Sequence, residues 1–212
     1  MTVNYHNLNK ILEEVKHYDL ANLLIVTKYQ SLNDIHDLID KGFKIFGENR
    51  VQEAKKKYQT LCETKKINLH LIGPLQTNKV KDALFLFDTI QSIDREKLVD
   101  EISKFIIKDI PIKTKSFYIQ INIGAEVQKS GIDKSQCINF YRYAIDKKLN
   151  IEGLMCIPPN TTDVNEHFLE MNEIRRKINP NLKLSMGMSN DYKIALDHHS
   201  NLIRVGSMIF ND

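Results

Sequence analysis

Apolar residues recur along this chain in two alternating rhythms. Short, nearly continuous apolar runs suit strands buried on both faces of a parallel sheet. Between them lie stretches where apolar residues return every three or four positions, as on one face of a helix. The first stretch, 4–17, is of the second kind: Leu8, Ile11, Leu12 and Val15 form one stripe. Strand patterns follow at 23–28, 43–48, 69–73, 89–93, 117–122, 151–157, 183–186 and 202–205. After the first strand, Ser31 can cap a helix that has Asp34 in its first turn and stops at Lys41-Gly42. Further helices are predicted over 51–62, 78–86, 133–147, 163–178 and 191–197. Another begins after Asp94, a candidate cap, and turns Leu98, Val99, Ile102, Phe105 and Ile106 inward. In the helix over 163–178, Val164, Phe168, Met171 and Ile174 form the inner face.

Strand and helix alternate throughout, which implies a parallel sheet, and eight such units imply a closed (β/α)8 TIM barrel of the α/β class. The length of 212 residues lies near the lower end of that fold's range. The sequence stops at Asp212, which leaves no room for a helix after the eighth strand. The opening helix is otherwise surplus and is expected to close the helix ring. No linker, low-complexity segment or tandem repeat divides the chain, so residues 1–212 are expected to form one domain. An open doubly wound sheet is the competing fold, but no G-x-G-x-x-G follows the first strand.

Composition narrows the function. Lys and Arg number 30 against 27 Asp and Glu, a net charge of +3 that is too small to argue for nucleic acid. Basic clusters such as Lys55-Lys56-Lys57 are dispersed and interleaved with acids, as on solvated helix faces. No apolar run is long enough to span a membrane, and the polar first ten residues lack a signal-peptide core. Cys62, Cys137 and Cys156 are odd in number, far apart and without C-x-x-C spacing. That argues against a disulfide framework or a metal site and for a reduced, cytoplasmic setting.

Chemistry gathers where a parallel barrel places it, at the carboxyl ends of the strands. Lys28 ends the first apolar run. Apolar surroundings disfavour an ammonium, which is how a lysine becomes available to form a Schiff base. Polar, glycine-containing segments follow other strands: Gly47-Glu48-Asn49, Gly73-Pro74-Leu75-Gln76, Gly187-Met188-Ser189-Asn190-Asp191 and Arg204-Val205-Gly206-Ser207. The last two together suggest an anion site. Ser189 can cap the following helix, and Gly206 has no side chain to block close approach. Phosphate sites in barrels recur after strands seven and eight. A ligand bearing both an aldehyde and a phosphate would meet both features, and pyridoxal 5′-phosphate (PLP) is such a ligand.

Several segments resemble one family. They are 46–53 (FGENRVQE), 70–79 (HLIGPLQTNK) and 184–189 (LSMGMS), with Gln120-Ile121-Asn122, Lys129-Ser130-Gly131, 153–158 (GLMCIP) and 204–210 (RVGSMIF). In this order they resemble the YggS/PROSC family of PLP-binding homeostasis proteins, which are alanine racemase N-terminal-domain-like. The resemblance spans nearly the whole chain. It implies a PLP fold-type III barrel with Lys28 carrying the cofactor as an internal aldimine. It implies that Arg204 faces the pyridine nitrogen, that Ser189, Gly206 and Ser207 hold the phosphate, and that Asn49 lies close to the ring. An always-charged arginine cannot accept a proton from the ring nitrogen, so the ring stays a weaker electron sink.

The resemblance implies a non-catalytic carrier or buffer serving vitamin B6 homeostasis, with PLP-dependent apo-enzymes as recipients and a monomeric state. The alternative is a PLP-dependent amino-acid racemase. Racemases of this fold type use a tyrosine opposite the lysine, and here Tyr29 and Tyr192 lie near the expected mouth. Lys129 and His70 read equally well as structural residues. Departures from the family pattern are Tyr29-Gln30 after the lysine, Asn190 after Ser189, and the ending Asn211-Asp212.

Overall fold

The computed structural model describes residues 2–159 and 164–210. Eight parallel strands close into a barrel in sequence order: β1 (Asn22–Val26), β2 (Ile45–Glu48), β3 (Asn68–Leu71), β4 (Thr89–Ile93), β5 (Ser116–Ile121), β6 (Ile151–Cys156), β7 (Lys183–Ser185) and β8 (Leu202–Val205). The seam is continuous, with Leu24 of β1 opposite Arg204 of β8. Around it run α1 (Tyr5–Val15), α2 (Leu32–Asp40), α3 (Val51–Thr64), α4 (Val80–Leu86), α5 (Glu96–Ile107), α6 (Cys137–Asp146), α7 (Val164–Ile178) and α8 (Tyr192–Asp197). Short 3-10 turns, Thr77–Lys79 and Lys134–Gln136, lead into α4 and α6.

The opening helix closes the ring as expected. On one side, Tyr5 of α1 donates to Asp37 of α2. On the other, Glu14 accepts from Tyr192 and, at 2.8 Å, from Lys193 of α8. Val3 pairs antiparallel with Phe210, and the Asn4 amide donates to the Ile209 carbonyl at 2.7 Å.

Element ends differ from the sequence pattern for local reasons. Strand β2 starts at Ile45 because Phe43 belongs to the stop of α2. There Gly42, at φ +91°, donates to the Ile39 carbonyl and Phe43 reaches back to that of Leu38. Ser31 caps α2 as predicted, accepting from the Asp34 amide. Asp94 does not cap α5: Arg95 occupies the cap position, and the Asp94 carboxylate pairs with the Arg95 guanidinium at 2.6 Å. The predicted start of the seventh helix at Asp163 lies outside the described residues.

Alternation sorts each strand into two faces. Outward residues such as Phe46, Leu69, Ile90, Leu154, Leu184 and Ile203 pack under the helices in one apolar layer. Each such side chain contributes about 1.5–3 kcal/mol by leaving water. The barrel interior divides in two. Near β1 it is apolar, with Leu24, Val26 and Leu202 packed against Ile45 and Ile72. Toward β3, β4, β7 and β8 it is polar, lined by His70, Gln91, Ser185 and Arg204, all buried.

Candidate functional site at the upper mouth

Lys28 follows β1 by two residues and continues the inward parity of Leu24 and Val26. The chain turns at once: the Gln30 amide donates to the Thr27 carbonyl at 3.0 Å, and Tyr29 adopts φ +66°. Lys28 is exposed, not enclosed in apolar surroundings. Its ammonium lies 6.0 Å from the centre of the Tyr29 ring. The backbone behind it is fixed, because Lys57 of α3 donates to the Thr27 carbonyl at 2.9 Å.

The neighbouring strand supplies Arg204, which is 3% exposed. Its guanidinium donates to Ser185 Oγ at 2.9 Å and to the Cys156 carbonyl at 2.7 Å, so β6, β7 and β8 together aim it. The strand then continues into Gly206. A Cβ there would stand 3.0 Å from the Val26 carbonyl oxygen and 3.1 Å from Val26 Cβ, so glycine lets this turn press against β1. Ser207 Oγ donates to Ser189 Oγ at 2.9 Å, which joins the loops after β7 and β8.

Ser189 does not cap α8 as the sequence suggested. Asp191 takes the cap position, and its carboxylate accepts the Met188 amide at 2.5 Å. That bond folds the β7 loop back and leaves the Ser189 hydroxyl facing Ser207. At the end of β2, Asn49 is half-buried, and its Oδ1 is buried without a hydrogen-bond partner. The peptide of Asn49 is crowded by the segment after β3, where a Cβ on Gly73 would lie 2.1 Å from the Asn49 carbonyl oxygen. Gly73 is therefore required by close approach of two backbones.

The expected residues thus converge from three adjoining strands of the mouth. Lys28 comes from β1, Asn49 from β2 and Arg204, Gly206 and Ser207 from β8, with Ser189 brought in by the β7 loop. Lys129, in the segment after β5, is engaged by its own neighbours, donating to the Pro158 carbonyl at 3.1 Å and paired with Glu126 at 2.5 Å. His70 stays out of this mouth and lines a cavity at the opposite end. Cys156 offers no nucleophile, because burial pushes its thiol up to about 12 despite the nearby Arg204 charge. Cys62, Cys137 and Cys156 are all free thiols. No helix among the described residues is long and apolar enough to cross a membrane.

Sequence reasoning missed Gln91 and Ser185, which support Arg204. Their one local signal is a polar residue at an inward position of an otherwise apolar strand. The geometry suits a ligand with an electrophilic carbon at Lys28, an acceptor near Arg204 and an anion at Ser189 and Ser207.

Comparison with known proteins places this barrel in a family. The family profile described as "Alanine racemase, N-terminal domain" matches residues 4–212. A pyridoxal phosphate homeostasis protein of Aquifex aeolicus is 35% identical over 201 residues, covering 91% of this chain and 87% of its own length. The chain belongs to the pyridoxal phosphate homeostasis protein family. PipY of Synechococcus elongatus PCC7942 superposes on this chain with a TM-score of 0.86 in its PLP-free structure. With PLP bound the TM-score is 0.84, at 27% identity, covering 97% of this chain and 99% of PipY. An alanine racemase of Clostridium difficile 630 shares the fold at TM-score 0.74 and 14% identity, and this chain covers 61% of it. The homeostasis family and the racemase thus share one barrel.

Proposed function

We propose that this protein binds PLP covalently through Lys28, as a Schiff base, and serves intracellular PLP homeostasis as a carrier. Its PLP-named relatives and the PLP-bound PipY barrel support the cofactor. The observation that supports the site assignment is the tight packing of the Gly206 turn against Val26, two residues before Lys28. The bound group would supply an aldehyde carbon to which an amine adds with loss of water. Arg204 would face the ring nitrogen, Asn49 the ring, and Ser189, Gly206 and Ser207 the phosphate. The unpartnered Asn49 Oδ1 and the hydroxyl pair Ser189–Ser207 fit such a polar ligand.

Arg204 can only donate, and Ser185 Oγ and the Cys156 carbonyl hold it in place. A ring nitrogen facing it keeps its lone pair, so carbanion chemistry is weakly supported. A racemase also needs a second base across the substrate. Tyr192 is committed to Glu14 on the outside of the barrel, and burial and that carboxylate raise its phenol well above the usual range. Tyr29 stands beside Lys28 and is 64% exposed. These features favour a carrier, with residues 1–212 acting as one PLP-binding barrel domain. We take the protein to be a cytoplasmic monomer whose recipients are PLP-dependent apo-enzymes.

The test is the visible absorption spectrum with added PLP, for wild type and Lys28→Ala. A yellow band that borohydride fixes in wild type and that Lys28→Ala lacks is expected. A wild-type protein that stays colourless in excess PLP would remove the cofactor reading. Turnover of alanine, serine or glutamate that Lys28→Ala abolishes would replace the carrier with a racemase.

A further inference from the structure

The opposite end of the barrel, at the amino ends of the strands, opens into a cavity of about 1020 Å³. Barrel enzymes keep their chemistry at the other end, so a cavity here ringed by charged residues needs its own explanation. Its wall includes His70, which is 5% exposed and whose Nε2 has no hydrogen-bond partner. Burial lowers the His70 pKa to about 4, so the ring is neutral at pH 7.

The position of its single proton follows from a chain of bonds. Arg204 can only donate, so Ser185 Oγ accepts from it at 2.9 Å. The Ser185 hydroxyl then donates to Gln91 Oε1 at 2.6 Å. Gln91 Nε2 is left to donate to His70 Nδ1 at 2.8 Å. With Nδ1 accepting, a neutral imidazole carries its proton on Nε2. An unpartnered N–H donor is therefore buried in a ring that lines the cavity, where a small turn of the ring would present it to a ligand.

Arg175 of α7 lines the same cavity, and its Nε is buried without a partner. The surrounding charge is cationic. Lys44, Lys66 and Lys115 are exposed lining residues, and no ion pair involves them among the described residues. The acids there are largely engaged. Asp88 pairs with Lys113 at 2.9 Å, and Glu152 pairs with Lys183 at 3.1 Å. Asp19 on the rim is the remaining acid that lines the cavity.

We propose that this lower mouth is a second ligand site, for a small polyanion bearing carboxylate or phosphate groups, one acceptor atom of which takes the His70 Nε2–H. The lysines draw the anion in, and Arg175 Nε supplies a further donor. The site shares no lining residue with the upper mouth. It is joined to that mouth through the Ser185–Gln91 link from Arg204.

The test uses the full chain loaded with PLP and freed of excess, so that the upper phosphate position is filled. Citrate and inorganic phosphate are titrated separately by calorimetry, and the protein labelled with 15N-histidine is followed by NMR. Saturable binding of one or both, with movement of the His70 Nε2–H signal, is expected. Binding of citrate alone assigns the site to carboxylates, and binding of phosphate alone assigns it to phosphates. The double variant Lys66→Glu, Lys115→Glu changes exposed positions and should weaken binding by about tenfold or more, with the visible spectrum unchanged. Absence of saturable binding by either probe overturns the proposal. So does binding that the charge reversal leaves intact, or binding that leaves the His70 signal in place.

Discussion

Two buried polar clusters stand on opposite sides of the barrel wall, and they solve the same problem differently. Inside, Arg204, Ser185, Gln91 and His70 form a line in which each group hands a proton donor to the next. Only its first member is charged. Outside, between β1, β2 and α3, Glu48 accepts from Lys57 at 2.9 Å and from Thr27 Oγ1 at 2.8 Å. Tyr58 completes that cluster at 2.7 Å from the same Thr27 oxygen. Here two opposite charges are buried together, with Glu48 fully enclosed and its second oxygen unpartnered. The inner line depends on direction and the outer cluster on charge. They should therefore fail differently when a member is removed, and respond to pH with opposite signs.

The largest effect is expected from Lys57→Met. It leaves Glu48 enclosed with its compensating charge gone, and breaking a buried pair in this way costs about 3–5 kcal/mol. Burial already raises the Glu48 pKa, and Lys57 and Thr27 only partly offset it. A carboxyl raised in the folded state stabilises most below its unfolded pKa, and that stability is lost as pH rises through the folded value. Without Lys57 the rise is larger, so the variant should recover part of its loss between pH 7.5 and pH 5. Urea unfolding at both pH values checks this. A loss below about 1 kcal/mol at pH 7.5, or no recovery in acid, would mean that the pair contributes little.

His70 has the opposite sign. Its folded pKa is lowered to about 4, by burial first of all. Between that value and about 6.5 the unfolded chain binds the proton more readily, so stability falls as pH falls. The loss attributable to this one ring reaches about 3 kcal/mol at the bottom of the window. His70→Gln keeps an acceptor for Gln91 and should flatten unfolding free energy between pH 6.5 and pH 4. A variant that keeps the wild-type slope would place the acid sensitivity elsewhere.

A smaller effect is expected from Ser185→Ala. It removes the joint between Arg204 and Gln91 and leaves Gln91 Oε1 without the hydroxyl it accepts from, at a cost of about 1–3 kcal/mol. It also frees the Gln91 amide to turn over and present its oxygen to a histidine nitrogen. The His70 proton would then move to Nδ1, which 15N chemical shifts of the ring report directly. Unchanged ring shifts would show that Arg204 does not set the direction of the line.

These two clusters also mark what the sequence makes legible. The barrel is legible because its evidence is local: apolar runs, periodic stripes and stops such as Gly42. The strands 89–93 and 202–205 match residue for residue. The upper mouth is legible at Lys28, Asn49, Arg204, Gly206 and Ser207 because strand ends can be counted. Ser189 reaches this mouth beside Ser207, but not as the expected cap, since Asp191 and not Ser189 caps the helix. The inner line is not legible. Ser185 and Gln91 are 94 positions apart, and no local pattern records their bond. Glu48 sits in a glycine-rich mouth segment, yet strand parity sends Gly47 inward against Leu24 and Glu48 outward to α3. One residue of register separates the barrel interior from a structural ion pair.

The smallest effect sharpens the contrast by supplying a solvated reference. Lys183 and Glu152 pair at 3.1 Å across β6 and β7, with side chains 56% and 37% exposed. Their attraction is screened by water, and holding two long side chains together costs entropy, so Lys183→Ala should change stability by less than about 1 kcal/mol. The same pair lies on the wall of the lower cavity. Removing the lysine releases a carboxylate there and should weaken citrate or phosphate binding more than it weakens the fold. Calorimetry and urea unfolding on one preparation separate the two quantities. A stability loss comparable to that of Lys57→Met would mean that solvent exposure does not distinguish the two ion pairs, and the division between charge and direction would fall with it.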